Sequence, residues 1–135
     1  MATEHELIQD FMARGPYAVV GATSNRDKYG NLVLRAYQQQ GLEVYPINPR
    51  ADEIEGLKAY PSLQALPVKV RGVSIITPPA ITEQVVEEAA KAGAEFVWMQ
   101  PGAESPEAVR KAEALGLKVI ASGPCYLVLA HFHEA

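Results

Sequence analysis

The sequence predicts a doubly wound α/β domain: a five-stranded parallel sheet in the order 3-2-1-4-5, with helices on both faces. Three observations point that way. Short apolar runs recur along the chain without strict alternation, the pattern of strands covered on both faces. Gly41, Gly93 and Gly116 each end a helical pattern and lead into such a run. Glycine suits that place because a helix commonly closes on a left-handed residue, where a Cβ would clash. Helix-spaced apolar residues fill the stretches between the runs.

The elements follow in order. Thr3 and Glu6 form a capping-box pair ahead of Leu7, Ile8, Phe11 and Met12, which predicts a helix over about 4–13. Gly15-Pro16 ends it, and Tyr17-Ala18-Val19-Val20 reads as a buried strand running into Gly21. A helix is expected over 31–40, with Leu32, Val33, Ala36 and Tyr37 on one face. The segments 41–47, 93–99 and 116–120 share one design: a glycine stop, a charged residue at the strand entrance, then an apolar run. The stretch 72–77 supplies the remaining strand. A helix over about 80–92 turns Ile81, Val85, Ala89 and Ala92 inward, with Glu87 and Lys91 four apart on its outer face. Ser105 as N-cap and Pro106 at the first position open another, carrying Val109, Ala112 and Leu115. Residues 126–133 are expected to form a short closing helix.

Size and charge bound the function. At 135 residues, 48% apolar and 21% charged, the chain reads as one domain, 1–135, with a core of its own. Twelve Lys and Arg against sixteen Asp and Glu give a net charge of −4, which argues against broad binding to nucleic acid or an anionic membrane. The single cysteine, Cys125, has no disulfide partner within the chain. The N-terminus lacks the layout of a signal peptide, and no apolar run is long enough to span a bilayer. A soluble, cytoplasmic protein is the expectation.

In an open parallel sheet, ligands bind beyond the carboxyl ends of the strands, where the strand order reverses. Four loops lie there. The first, 21–30, follows the first strand and precedes a helix, as a phosphate loop does. Gly21 and Ala22 bring backbone close, Thr23 and Ser24 offer hydroxyls, and Arg26 and Lys28 offer positive charge. Its spacing is neither G-x-G-x-x-G nor a Walker A motif. The competing reading is a polar loop that happens to carry two cations. In the second loop, an NAD site would place an acidic residue after the second strand. Here Asn48-Pro49-Arg50 stands instead. Two readings fit: a recognition element for a ribose that carries a phosphate, as NADP and coenzyme A do, or a plain Asn-Pro turn with an exposed arginine. Thr77-Pro78-Pro79 makes a stiff apolar rim suited to a narrow pantetheine-like or nicotinamide-like arm, and equally a rigid helix start. In the fourth loop Gln100 offers a hydrogen bond to an amide, while Trp98 just before it reads as core.

No catalytic set is visible. His5, His131 and His133 lie near the ends, and the last two are spaced to point to different helix faces, so no metal pair is expected. Cys125, after Gly123-Pro124, reads as a packed, inert thiol with no histidine placed to activate it.

Taken together, these segments resemble the stand-alone coenzyme A-binding protein family, a Rossmann-like domain related to the N-terminal domain of the succinyl-CoA synthetase α subunit. The resemblance rests on Val19-Val20-Gly21-Ala22-Thr23-Ser24, Lys28-Tyr29-Gly30-Asn31, Val44-Tyr45-Pro46-Ile47-Asn48-Pro49, Glu53-Ile54-Glu55-Gly56, Tyr60-Pro61-Ser62-Leu63 and Trp98-Met99-Gln100-Pro101-Gly102. No one segment is specific; the ordered set is. The resemblance implies that the loop from Gly21 holds the CoA pyrophosphate. It places Asn48, Pro49 and Arg50 beside the adenosine and its 3′-phosphate. Thr77, Pro78, Pro79, Gln100 and Gly102 would flank the pantetheine arm. The expectation is a module that binds coenzyme A or an acyl-CoA without catalysis. The alternatives are a small NADP-binding reductase domain and a regulatory subunit that reports CoA to a partner.

Overall fold

Five parallel strands covered on both faces account for the apolar runs. The computed structural model describes residues 2–121, 125–130 and 132–133; Ser122, Gly123, Pro124 and His131 lie outside the described residues. The elements are α1 (Glu4–Ala13), β1 (Tyr17–Val20), α2 (Tyr29–Gln39), β2 (Val44–Ile47), β3 (Glu53–Ile54), β4 (Leu57–Lys58), β5 (Gly72–Ile75), α3 (Pro79–Lys91), β6 (Phe96–Met99), α4 (Pro106–Ala114), β7 (Lys118–Ile120) and α5 (Tyr126–Leu129). A 3-10 turn at Leu63–Ala65 precedes β5.

The main sheet runs β2-β1-β5-β6-β7, all neighbours parallel. Tyr17 stands between Val44 and Gly72, which sets the register of the centre. Over these five strands alone the order is 2-1-3-4-5, so the 72–77 run lies beside β1. Counting the parallel bridge between Ile47 and Tyr60 as a sixth strand position outside β2 gives 3-2-1-4-5-6, which contains the expected 3-2-1-4-5 order. That strand is reduced to a single bridge because Pro61 follows and the 3-10 turn begins at once. The chain therefore reverses direction across the sheet between β1 and β5, and this is the Rossmann-like switch point.

Side chains alternate between two cores, as strand geometry requires. Ala18, Val20, Val73, Ile75, Val97 and Met99 pack with Val85, Val86 and Ala89 of α3 and Ala108 and Ala112 of α4. Tyr17, Val19, Phe96 and Trp98 face α1, α2 and α5. That second core is aromatic. Tyr37 stacks on Tyr126 at 4.1 Å, and Phe11 meets Trp98 edge-on at 5.2 Å. Trp98 is wholly buried, as its place in the sequence implied. Among the described residues no helix is long and apolar enough to cross a membrane.

Several details differ from the sequence reading. Ile81 is exposed rather than inward, because the first turn of α3 overhangs the strand ends. Thr82 takes the inward place and bonds the Thr77 hydroxyl at 2.7 Å. Leu115, the C-cap of α4, is also exposed. Glu87 pairs with Lys111 of α4 rather than with Lys91. The closing helix is shorter than expected, ending at Leu129 with Ala130 as its cap. The hairpin of β3 and β4 is an addition to the elements expected from the sequence. Its tip, Glu55-Gly56, has both φ angles positive (51° and 79°), the two-residue turn that matches strand twist.

The turn after β1 is closed by backbone. A Cβ on Gly21 would lie 2.0 Å from the Ile76 carbonyl oxygen, and one on Gly30 would lie 2.0 Å from the Gly21 carbonyl oxygen. We predict that Gly30→Ala costs about 1–3 kcal/mol, because the clashing atoms are main chain and α2 must shift bodily. Urea unfolding measures this; a loss within experimental error of zero would mean that α2 is free to slide.

At the opposite edge, buried Arg71 ties α1 to the sheet. Its guanidinium donates to the carbonyls of Asp10 (2.7 Å) and Arg14 (3.1 Å), and to the carboxylates of Asp10 (2.5 Å) and Glu95 (3.3 Å). Lys118 adds a 3.1 Å bond to Glu95. Arg71 holds the Asp10 carboxyl below its ordinary range; Lys118 and then Arg71 do the same for Glu95. A carboxyl depressed in the folded state adds stability that is complete above its unfolded value and disappears as pH falls through the folded one. Stability should therefore drop as pH falls below about 4. Arg71→Met should flatten that slope in urea titrations at stepped pH, and an unchanged slope would remove Arg71 as the cause.

Candidate functional site

The carboxyl ends of β1 and β5 meet under a loop that folds on its own polar groups. Thr23 Oγ1 accepts from the Asn25 N–H (3.2 Å), Asn25 Oδ1 from the Asp27 N–H (3.0 Å), and the Asn25 carbonyl from the Lys28 N–H (3.0 Å). These short-range bonds suit Asn and Thr to turns. Lys28 is extended and serves as N-cap of α2 without any side-chain cap bond, so the helix begins two residues earlier than its apolar spacing indicated. Its first-turn N–H groups and the positive end of its dipole face the loop.

Two asparagines fix this loop from beneath. Buried Asn31 donates to the Thr23 carbonyl and to the Glu55 carboxylate (both 2.9 Å), and accepts from Arg35 Nε at 2.7 Å. Asn48, just past β2, donates to the Ala22 carbonyl at 2.9 Å and accepts from the Arg50 N–H at 2.8 Å. The turn reading of Asn48 is thus present in its side-chain bonds. Arg50 and Pro49 stand exposed at the rim.

Two adjoining cavities occupy the crevice. One, of about 330 Å³, lies at the loop against Gly21, Thr23, Lys28, Tyr29, Gly30 and Ile76. The other, of about 510 Å³, is lined by Tyr29, Ile76, Thr77, Pro78, Pro101, Gly102, Ala103 and Cys125. Tyr29 and Ile76 belong to both, so the space runs from the loop into an apolar slot. Tyr29 Oη touches the Cys125 sulfur and lies 3.2 Å from Gln100 Oε1. Burial, and then the bond to Cys125, push the Tyr29 hydroxyl well above its ordinary range.

The residues expected at the site therefore divide. Gly21, Thr23 and Lys28 line the loop cavity, and Thr77, Pro78 and Gly102 line the slot. Ala22 is buried and Ser24 exposed. Arg26 leans away to pair with Glu55 at 3.4 Å. Pro79 opens α3. Gln100 is wholly buried behind Tyr29, its Oε1 accepting from the Tyr126 N–H at 2.9 Å. Sequence reasoning missed Tyr29, Asn31 and Glu55 as site builders; their signal was their place beside the glycines of the loop and the hairpin. Cys125, read as a packed thiol, is only half-buried and ends the slot. Among the described residues no His, Cys, Asp and Glu cluster could hold a metal ion.

Comparison with known proteins agrees with this architecture. The family model of the CoA binding domain matches residues 16–131. The chain is 32% identical over 103 residues to the uncharacterized protein YneT of Bacillus subtilis, covering 76% of each. It is 30% identical over 134 residues to the α subunit of an ADP-forming acetate–CoA ligase of Pyrococcus furiosus, covering 91% of this chain but only 29% of the ligase subunit. A solved structure of a hypothetical protein from Pyrococcus horikoshii superposes with a TM-score of 0.87 at 32% identity, covering 96% of this chain and 90% of that one. With residues 16–131 matched by the family model and the fold shared with solved relatives, the chain belongs to the CoA binding domain family.

Proposed function

We propose that residues 1–135 act as one cytoplasmic ligand-binding domain that holds coenzyme A or an acyl-CoA along this crevice, without turnover. One observation carries the reading: a polar loop at an uncapped helix start opens directly into a narrow apolar slot, through Tyr29 and Ile76. A ligand suited to both must be anionic at one end and thin and largely apolar at the other. CoA has that form, and the family points the same way.

In this reading the backbone of Gly21 and Ala22 and the hydroxyls of Thr23 and Ser24 meet the pyrophosphate, with Lys28 beside them. Arg26 contributes only on release from Glu55. Asn48 and Pro49 border the adenosine and Arg50 reaches its 3′-phosphate. Thr77, Pro78, Pro79 and Gly102 confine the pantetheine arm, and Gln100 stands behind Tyr29 at its far end.

Calorimetry with CoA, dephospho-CoA and NADP tests the proposal. CoA is expected to bind most tightly. A charge-assisted arginine–phosphate contact contributes about 1.5–3 kcal/mol, so losing the 3′-phosphate should weaken binding by roughly tenfold or more. Arg50→Gln should erase the difference between CoA and dephospho-CoA. Equal affinities in the unaltered protein would remove Arg50 from the site; tighter binding of NADP, or no CoA binding, would overturn the proposal.

A further inference from the structure

Cys125 is the one cysteine of the chain, and it stands in the wall of the slot with its sulfur against Tyr29 Oη. Around it Ile76, Pro78, Pro101 and Ala103 present apolar side chains. The sulfur and the tyrosine hydroxyl are in contact within a largely apolar lining.

The protons in this cluster can be counted. Tyr29 has one to donate, and it has two neighbours that accept: the Cys125 sulfur and Gln100 Oε1. With Cys125 as a thiol, its S–H donates to the Tyr29 oxygen and Tyr29 donates to Gln100. With Cys125 as a thiolate, the Tyr29 hydroxyl turns to the sulfur, and Gln100 Oε1 retains the N–H of Tyr126. The oxygen of Gln100 is thus bonded in both states, so the cluster accommodates a thiolate without orphaning an acceptor.

A second observation points to a ligand here. Gln100 is fully buried, and its carboxamide reaches the tyrosine hydroxyl that touches the sulfur. Its Nε2 has no hydrogen-bond acceptor among the described residues. The Tyr126 N–H fixes the carboxamide with its oxygen in place, so flipping the amide would only move the fault. A buried donor without an acceptor is costly and uncommon, and this one belongs to the side chain directly behind Tyr29, whose hydroxyl it meets and whose ring lines the cavity.

We propose that Cys125 is a covalent attachment point for a thiol ligand, loaded by exchange with that ligand's disulfide. This rests on the CoA reading for the identity of the thiol. The Cys125 sulfur bonds to one sulfur of the disulfide as the ligand's S–S bond breaks. The electron pair of that bond leaves on the second sulfur, which takes up the proton given up by Cys125. Cys125 is oxidised to a mixed disulfide and the ligand disulfide is reduced to one bound half and one free thiol. Tyr29 acts as a positioning residue that stabilises the attacking thiolate. The event is stoichiometric and is reversed by any free thiol.

The test uses the reduced full-length chain, mixed separately with CoA disulfide and with glutathione disulfide and followed by intact mass. Because the chain has one cysteine, any adduct reports Cys125 without a variant. The expected result is one reductant-sensitive CoA adduct per chain, formed at least about tenfold faster than the glutathione adduct because the crevice holds the reacting sulfurs together. Tyr29→Phe should slow the CoA reaction about tenfold, the loss of one hydrogen bond to a charged sulfur. Equal rates with the two disulfides, or no adduct with either, would overturn the proposal. Calorimetry of reduced protein with CoA separates the failures. Binding without an adduct sinks the attachment site alone, whereas no binding together with equal rates sinks both readings.

Discussion

The contact on which the site depends is a backbone one, between Gly21, Gly30 and Ile76. Gly21 lies under the Ile76 carbonyl and Gly30 lies on the Gly21 carbonyl, each with no room for a Cβ. The Ile76 N–H also donates to the Val20 carbonyl at 2.8 Å, prolonging the pairing of β1 and β5 by one step. Strand, loop and helix are thereby pressed together at the point where the sheet reverses. One consequence is the position of Tyr29. It precedes the glycine that seats α2 on the strand, so its ring passes over the switch point and its hydroxyl arrives beside Cys125 and Gln100. A helix displaced outward by a side chain at Gly30 would leave the two cavities without the residue that joins them.

The polar residues around this contact govern which charges face the crevice. Glu55 is a carboxylate close to a loop suited to anions, a place where its charge opposes ligand binding. Its bonds explain it. It takes one amide hydrogen of Asn31 and the guanidinium of Arg26, and it is presented by a hairpin tip whose Gly56 follows at positive φ. Asn31 in turn spends its other bonds on the Thr23 carbonyl and Arg35. A network of this kind is favourable only when every member is satisfied, and the Asn31 side chain is. Lys28 and Arg50 are exposed and take part in no ion pair among the described residues, and Lys28 lines the loop cavity. The charge at the site is therefore set less by the number of cations in the loop than by which one Glu55 removes.

The fold was legible because its signals are local and repeated. Gly41, Gly93 and Gly116 all adopt the left-handed conformation that their places after helices implied. The strand runs between them are buried on both faces, as continuous apolar stretches must be. The hairpin at β3 and β4 was not legible, since two-residue strands carry no periodicity and Glu55 is an unusual residue at positive φ. Ile81 was misassigned for a different reason. Helical spacing gives the face of a helix but not where the sheet beneath it ends. The site was half legible. Residues that present backbone or small side chains, such as Gly21, Thr23, Pro78 and Gly102, could be placed from the loop they occupy. Those whose role depends on distant partners could not: Tyr29 meets Gln100 and Cys125 across 71 and 96 residues, and Asn31 meets Glu55 across 24.

Helix caps carry the reasoning one step further. α1 has a full capping box from Thr3 and Glu6, and Ser105 caps α4 by accepting from the Ala108 N–H. α2 and α3, which start on either side of the switch point, have no side-chain cap. For α3 the reason is chemical, because Pro79 at the first position lacks an N–H and Pro78 lacks a side-chain acceptor. For α2 no such reason applies. Lys28 stands where Ser, Asp or Asn would cap, and those residues are near at hand at Ser24, Asn25 and Asp27. A capping carboxylate or hydroxyl would fill the first-turn donors from within the chain and add negative character to the loop. Lysine supplies no side-chain acceptor, so the Asn31 N–H turns to the Lys28 carbonyl at 3.1 Å, and a positive charge stands beside the helix start. The same sequence choice thus leaves the start of α2 without a side-chain cap and with a positive charge, as the proposed pyrophosphate site requires, whereas in α4 the Ala108 N–H is taken by the chain's own Ser105.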